Sequence, residues 1–396
     1  MQAVYPLSTR VRCLVDADCF FVSCERLRDP SLLAKPVCVG GPIVVAVSYE
    51  AKAYSVRVGT PLREAKQLLP KEAVFCKPDF AWYKYVSAQL AARCQEITPR
   101  ILQASIDEVY LDITDTKPPQ MDRPQWCTHI QQHLIASTGI PLTLGCAPTP
   151  LLAKLFSTLH KPQGCGVALQ STAINQLLAD CPLEKVSGIW RKTLPKVQST
   201  PTALSYMQLP LSTIKSRFGL AWQQIRHGLR GHALATHLSP PQAPKSISSS
   251  RSFTRATSLS ESLLREHLLW HREKVFMDLI TNNLQTQHLR IALRDNALHW
   301  HSYEAHLPAY TQDKNILQSY FKQLLTTHYQ AGKLYKGTGI WVGSLIQSAR
   351  YTPWLFSDST EHQKTLSTCM TRINQKRGKK LIHPARLHYQ KKNLTQ

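Results

Sequence analysis

The stretch Ser105-Ile106-Asp107-Glu108-Val109-Tyr110-Leu111-Asp112-Ile113-Thr114 decides the fold. Val109, Leu111 and Ile113 alternate as a β-strand does, immediately after two adjacent acids. Far upstream, residues 11–15 (VRCLV) alternate in the same way and run into the acidic turn Asp16-Ala17-Asp18. Asp16 thus follows one predicted strand, and Asp107 and Glu108 precede another. Neighbouring side chains on a strand point to opposite faces, so Asp107 and Glu108 converge only at a turn. Grouped carboxylates repel and are pushed towards protonation unless a cation neutralises them. Hard divalent ions choose oxygen ligands of this kind. Two such ions about 3.5–4 Å apart activate an attacking hydroxyl and stabilise the leaving oxygen of a phosphoryl transfer. Spacing alone leaves the plainer reading open, because an Asp-Glu pair on a surface is often simply solvated.

Working outward, FFVSCERLR (20–28) has a helical pattern, and Thr60-Pro61 reads as an N-cap with proline at the first helical position of a helix that stops at Pro70. Residues 80–97 predict a longer helix, and Leu142, Leu144 and Cys146 another strand. Thr149-Pro150 opens an amphipathic helix with Leu151, Leu152, Leu155, Phe156 and Leu159 on its apolar side, ending at Lys161-Pro162-Gln163-Gly164. Strands alternating with helices make the first 170 residues α/β or α+β. Residues 171–238 read as wholly helical, with eight basic residues against two acidic ones. Ser239 to Ser250 (SPPQAPKSISSS) has the composition of a flexible tether. Residues 251–350 mix helices with short strands such as Leu289–Leu293 and Gly339–Val342, and the tail from His362 holds nine basic residues and no acidic one.

A chain of 396 residues, 43% hydrophobic, is long enough for several cores. Its 48 lysines and arginines against 25 acids give a net charge of +23, an excess that self-repels unless a polyanion meets it. Nucleic acid is the leading partner, since phosphate neutralisation drives its binding; a solvated basic surface is the alternative. Eleven scattered cysteines without a C-x-x-C pair read as reduced core residues rather than a zinc or disulfide framework. No stretch is apolar enough to span a bilayer, and MQAVYPLSTR lacks a secretory core. The expectation is a cytoplasmic, nucleoid-associated protein without a membrane partner.

The strings VDADCFFVSCE (15–25), SYEAKAYSVRVGTPLREA (48–65), SIDEVYLDIT (105–114) and LLAKLFSTLHKPQG (151–164) resemble, in order and spacing, the motifs of the Y-family, UmuC/DinB-like translesion DNA polymerases. Val186-Ser187-Gly188-Ile189 resembles the start of the family's helix-hairpin-helix thumb, and YQAGKLYKGTGIWVG (329–343) the close of its little finger in the UmuC version. The resemblance implies an α+β multidomain right hand. Its palm would be residues 1–19 and 80–170, its fingers 20–79, its helical thumb 171–238, its tether 239–250, its little finger 251–350, and its basic tail 351–396.

It further implies template-directed synthesis across damaged bases with primer–template DNA and deoxynucleoside triphosphates. Two metal ions, Mg²⁺ with Mn²⁺ as the substitute, would sit on Asp16, Asp107, Glu108 and the carbonyl of Ala17. Tyr49, Lys52 and Lys161 fall where the family contacts the triphosphate, Phe21 at its steric gate, Phe20 beside it among the nucleotide-site residues though its own ring reads as core, and Gly59 under the templating base. Asp18 matches an acidic position that is not a ligand and reads as a turn or helix-start residue. Leu355 and Phe356 lie where UmuC-like proteins carry a sliding-clamp peptide, and an activating accessory protein is a further expected partner.

Four places depart from the pattern. Lys52 replaces the usual arginine and loses the planar fork that grips phosphate. Ser55 replaces a glycine, Pro148-Thr149-Pro150 interrupts a stretch that often carries basic or amide residues, and Trp190 stands for a second hairpin glycine. These departures give the rival reading, a Y-family relative serving as a DNA-damage adaptor. The intact acids speak against it. A nucleotide cyclase also has a two-metal palm but would need no basic thumb.

Overall fold

The structure, a computed structural model, describes residues 9–189, 200–232, 244–257 and 261–348. The chain divides into two units, Met1–Pro241 and Gln242–Gln396. In the first unit, β1 (Arg12–Ala17) and α1 (Phe20–Arg28) precede a small segment of β2 (Val37–Gly40), β3 (Val44–Val47), α2 (Tyr49–Lys52), α3 (Leu62–Leu68) and β4 (Val74–Cys76). Then come α4 (Phe80–Ile97), β5 (Ile101–Gln103), β6 (Glu108–Asp112), α5 (Arg123–Thr138), β7 (Leu142–Ala147), α6 (Pro150–His160) and β8 (Cys165–Val167). The described part ends in α7 (Ser171–Ala179), α8 (Ala203–Gln208), α9 (Leu211–Phe218) and α10 (Leu220–Leu229).

The main sheet runs β5-β6-β1-β7-β8, and β3-β2-β4 form a separate small sheet. Central β1 is buried along its whole length, with both faces covered. Cys13, Val15 and Ala17 pack with Tyr83, Leu90, Ile130 and Leu134 from α4 and α5. Leu14, from the other face, joins Leu152, Leu155 and Phe156 of α6. Alternation along one strand therefore decides which side chains meet α6.

A buried ion pair holds the register. Arg12 lies opposite Asp112 with 2.7 Å between guanidinium and carboxylate, both side chains 1% exposed. Antiparallel pairing then sets Asp16 opposite Glu108. A one-residue slip would send every side chain of the strand to the other face.

Local differences from the sequence expectations have simple causes. Asp16 and Ala17 belong to β1, and the turn begins at Asp18, because pairing with β6 and β7 continues to the strand's end. Thr60 does not cap α3: Pro61 occupies the cap position without a side-chain bond, and Thr60 Oγ1 accepts the backbone N–H of Arg57. Thr149 does cap α6, accepting the N–H of Leu152. Leu159 of α6 is exposed rather than on the packed side.

The second unit contains β9 (Ile247–Thr257), α11 (Glu261–Thr281), β10 (Leu284–Asp295), β11 (Trp300–Thr311), α12 (Lys314–His328) and β12 (Tyr335–Gln347). Its antiparallel sheet runs β11-β10-β12-β9. Leu289, Ile291, Leu293, Ile340 and Val342 pack against Leu268 and Leu279 of α11 and Leu317 and Phe321 of α12. The strands of 11 to 13 residues exceed the short ones expected, since long alternation with polar outer residues hides a strand from an apolar-run reading. Residues 247–250 are strand rather than tether. Ser248 and Ser250 pair with Trp341 and Gly339, while Ile247 and Ser249 are buried, so serine composition concealed a period of two.

Candidate active site

The site grows from the adjacent ends of β1 and β6. Ala17 N–H donates to the carbonyl of Asp107 at 3.0 Å, so the two chain segments are bound where the acids stand. Ala104 N–H donates to the Glu108 carbonyl at 2.9 Å and closes the bend before β6. That bend resolves the alternation problem: Asp107 sits in it, outside the strand, where Ser105 Oγ donates to its carboxylate at 2.5 Å. Asp16 is 5% exposed, and Asp107 and Glu108 are half-buried.

Helix α6 brings counter-charges to this edge. Lys154, Ser157 and Lys161, spaced three and four apart, share one face of the helix and its end. Lys154 Nζ donates to both carboxylate oxygens of Glu108 at 2.9 Å. Lys161 Nζ donates to Asp16 Oδ1 at 2.6 Å, and Ser157 Oγ to Oδ2 at 3.4 Å. The helix reaches so close because β7 offers no side chain at Gly145, where a Cβ would stand 2.0 Å from the Ala153 carbonyl oxygen.

Burial pushes the Asp16 carboxyl up to about 6; Lys161 opposes this, and repulsion from Glu108 and Asp107 adds to it. Burial works against the Lys161 ammonium, but the Asp16 charge and hydrogen bond carry it above the ordinary lysine range. The cluster thus demands positive charge beyond what its shape alone provides. Its donors are carboxylate oxygens with a strand-end carbonyl beside them, the chemistry hard divalent ions select, so the residues fit such ions.

Asp18 has a larger part than a turn residue. It is 2% exposed and accepts from Thr143 Oγ1 at 2.8 Å, Gln163 N–H at 2.8 Å and Tyr49 Oη at 3.2 Å. The cap position of α1 belongs to Cys19, without a side-chain cap bond. Asp18 therefore ties β7, the segment after α6 and α2 to the end of β1. Burial, then the Asp18 charge, pushes the Tyr49 hydroxyl well above its ordinary range and keeps it a donor. Lys52 Nζ lies 4.0 Å from the Tyr49 ring centroid and 3.4 Å from Cys19 Sγ.

Phe20 is buried in the core, 4% exposed, whereas Phe21 is half-buried, stacks on Tyr83 at 4.5 Å between centroids and meets Phe80 edge-on. Gly59 is exposed with φ +97°, and an added Cβ would meet nothing, so the backbone conformation rather than space calls for glycine there. Ser55 has φ +65°, the left-handed conformation that suits the glycine it replaces. Trp190, Leu355 and Phe356 lie outside the described residues.

The sequence reading missed Lys154, Ser157, Thr143 and Gly145. The first two carried a signal: with Lys161 they repeat at helical spacing opposite the leucines of α6. Thr143 and Gly145 gain their parts only through strand pairing, which no local pattern displays.

Comparison with known proteins gives a consistent result. Residues 15–158 match the impB/mucB/samB family, and residues 244–353 match that family's C-terminal domain. A protein named DNA polymerase IV from Xanthomonas campestris pv. campestris is 30% identical over 295 residues, covering 71% of this chain and 81% of the relative. Proteins of the same name from Oceanobacillus iheyensis and Bacillus anthracis are 32% and 37% identical over 270 and 204 residues, or 64% and 50% of this chain. The matched regions span 62% and 48% of those two relatives. A solved chimeric Y-family DNA polymerase shares the fold, with a TM-score of 0.73 at 19% identity over 85% of this chain and 99% of the other.

Proposed function

The chain belongs to the Y family of DNA polymerases, and from that premise we propose that it is a template-directed DNA polymerase of the translesion kind. The observation that carries the reading is the meeting of Asp16, Asp107 and Glu108 at the adjacent ends of β1 and β6, countered by Lys161 and Lys154. A merely structural site has little need of three acids brought to one edge of the sheet, one of them nearly buried.

In this reading the palm is the sheet around β1 with α4 to α6, the fingers are residues 20–79 with α1 and the β2–β4 segment, and helices α7 to α10 form the thumb. Asp16, Asp107, Glu108 and the Ala17 carbonyl would hold two divalent ions, Mg²⁺ or Mn²⁺. Such ions supply activation of a hydroxyl and charge stabilisation at the α-phosphate. The chain's own groups bind and orient. Lys161 and Lys154, now paired with Asp16 and Glu108, are placed to turn to triphosphate oxygens once the carboxylates are otherwise neutralised. Tyr49, whose one hydroxyl proton now goes to Asp18, is placed to turn it to triphosphate oxygens, and Lys52 adds charge from α2. Phe21, held flat on Tyr83, forms the floor beneath the sugar. Gly59 leaves room beside the templating base. The primer hydroxyl attacks the α-phosphate, and pyrophosphate departs.

Further partners rest on sequence alone: a sliding clamp through Leu355 and Phe356, and an activating accessory protein. The decisive test is primer extension with Asp107→Ala and Glu108→Ala. Each should lose nucleotide addition by at least about a hundredfold while primer–template affinity stays within about twofold, because phosphate contacts elsewhere dominate binding. Extension at the wild-type rate by either variant would overturn the assignment and favour the adaptor reading.

A further inference from the structure

The second unit carries a cluster that polymerase chemistry does not use. His288 on β10 lies directly opposite His306 on β11, and their rings stack at 4.2 Å between centroids with 13° between planes. Glu304 precedes His306 by two residues, so both side chains leave β11 on the same face. This is the face away from α11 and α12, because the alternate residues Leu289, Ile291 and Leu307 fill the core. One ligand atom from each of His288, Glu304 and His306 lies within 4.8 Å of the other two.

The surroundings single these groups out. His288 Nε2 is buried, lies 3.3 Å from Glu304 Oε2, and has no well-aligned hydrogen bond. Trp341 stands edge-on to the His288 ring at 5.0 Å and fixes its orientation. Arg290 occupies the remaining side, 2.8 Å from Glu304 and 4.9 Å from the centre of the Trp341 ring. A carboxylate and two imidazoles gathered with one donor atom of each within 4.8 Å of the others, one imidazole nitrogen buried and poorly satisfied, form a donor set for a borderline divalent ion.

We propose that His288, Glu304 and His306 form a binding site for a zinc-class divalent cation on the outer face of this sheet. Two imidazoles and a carboxylate suit Zn²⁺ better than Mg²⁺, which prefers oxygen alone. Bound Zn²⁺ draws such ligand atoms to about 2.0–2.2 Å, so binding must turn the two imidazoles out of their parallel stack until both in-plane lone pairs meet the ion. Three protein ligands leave a fourth position open to water or an external oxygen. Arg290 competes with the ion for Glu304, so binding releases the guanidinium from its ion pair.

Zn²⁺ titration of the metal-stripped full chain by calorimetry, with a chelating buffer to set free ion, tests this. Other histidines and cysteines bind Zn²⁺ too, so the readout is the difference between proteins. His306→Ala, at an exposed position, should bind one equivalent fewer than wild type with an unchanged circular dichroism spectrum. Arg290→Gln should bind that same equivalent several-fold more tightly, a gain that loss of folding cannot mimic. Equal stoichiometry and affinity in wild type and His306→Ala would overturn the site. Weaker binding in Arg290→Gln would overturn the competition that places the ion on Glu304.

Discussion

Phe20 and Phe21 are adjacent, chemically identical and differently placed, which makes them a sharp residue-scale test. The Phe20 ring is 4% exposed in the core below β1, while Phe21 presents a half-buried ring stacked on Tyr83 and braced by Phe80. In the proposed role, a ring stacked on Tyr83 would exclude a 2′-hydroxyl by clash, a selectivity that works against the wrong sugar rather than for the right one. Phe21→Ala should raise ribonucleotide incorporation by at least tenfold, with deoxynucleotide insertion reduced but retained. Phe20→Ala should instead lower stability by about 3–5 kcal/mol, the cost of a cavity in a packed core. Single-nucleotide insertion with both sugars, alongside urea unfolding, separates the two. Unchanged sugar selectivity in Phe21→Ala, with selectivity lost in a folded Phe20→Ala, would transfer the gate to Phe20.

At the scale of elements, what the sequence displays is periodicity, and what it hides is pairing. Strand β1 and helices α1, α4 and α6 were legible from alternation and capping residues, while the approach of Asp16 to Asp107 and Glu108 was implied by the family resemblance, spacing alone leaving it open. The serine-rich start of β9 was not, because its exposed positions are small and polar and only its partner β12 marks it as strand. The full part of Asp18 was likewise hidden: its donors come from Tyr49, Thr143 and Gln163, which meet only after folding. Gly145 belongs to the same class. A methyl group there would stand 2.0 Å from the Ala153 carbonyl and 2.4 Å from Ser157 N, so α6 must lift off β7. Gly145→Ala should therefore cost about 1–3 kcal/mol through overpacking and also lower nucleotide addition, because Lys154, Ser157 and Lys161 move with the helix. Normal addition in a Gly145→Ala protein of reduced stability would detach those lysines from the chemistry. In the second unit, α11 buries His271 completely between Ser249 Oγ at 2.8 Å and Thr338 Oγ1 at 3.2 Å. Burial first, then the charges of His267, Lys274 and Arg251, pushes its imidazole down to about 4. The unfolded chain binds this proton as pH falls through about 6.5, but the fold resists until about 4, so stability present above 6.5 drains away across that window. The loss should approach about 3 kcal/mol, at about 1.4 kcal/mol per pK step. Urea midpoints of the intact chain at pH 7 and pH 4.5 should lie closer together in His271→Asn than in wild type; an identical pH dependence would remove His271 as the cause.

Across the whole molecule the dominant quantity is charge. A net +23 is spread unevenly: residues 171–238 hold eight basic groups against two acidic, and the tail from His362 nine against none. Such a distribution repels itself and is relieved by a chain of phosphates, whose condensed counterions are released on binding. Affinity for primer–template DNA should then fall linearly with salt on logarithmic axes, by about 0.9 in slope for each phosphate neutralised. Contact with about six phosphates would lower affinity roughly a thousandfold between 50 and 200 mM salt. A chain ending at Ser348 lacks the tail's nine basic groups, and its slope should be shallower than that of the full chain. Asp107→Ala, which removes an acid and leaves every basic residue in the sequence, should keep the wild-type slope while losing nucleotide addition. Fluorescence anisotropy of labelled primer–template across a salt series reads all three proteins. A slope near zero would contradict a role in gripping DNA, and equal slopes with and without the tail would confine the phosphate contacts to residues before 349. In the proposed reading, binding through diffuse charge and chemistry at Asp16, Asp107 and Glu108 are separable because the first depends on how many cations the chain carries, and the second on where β1 ends and β6 begins.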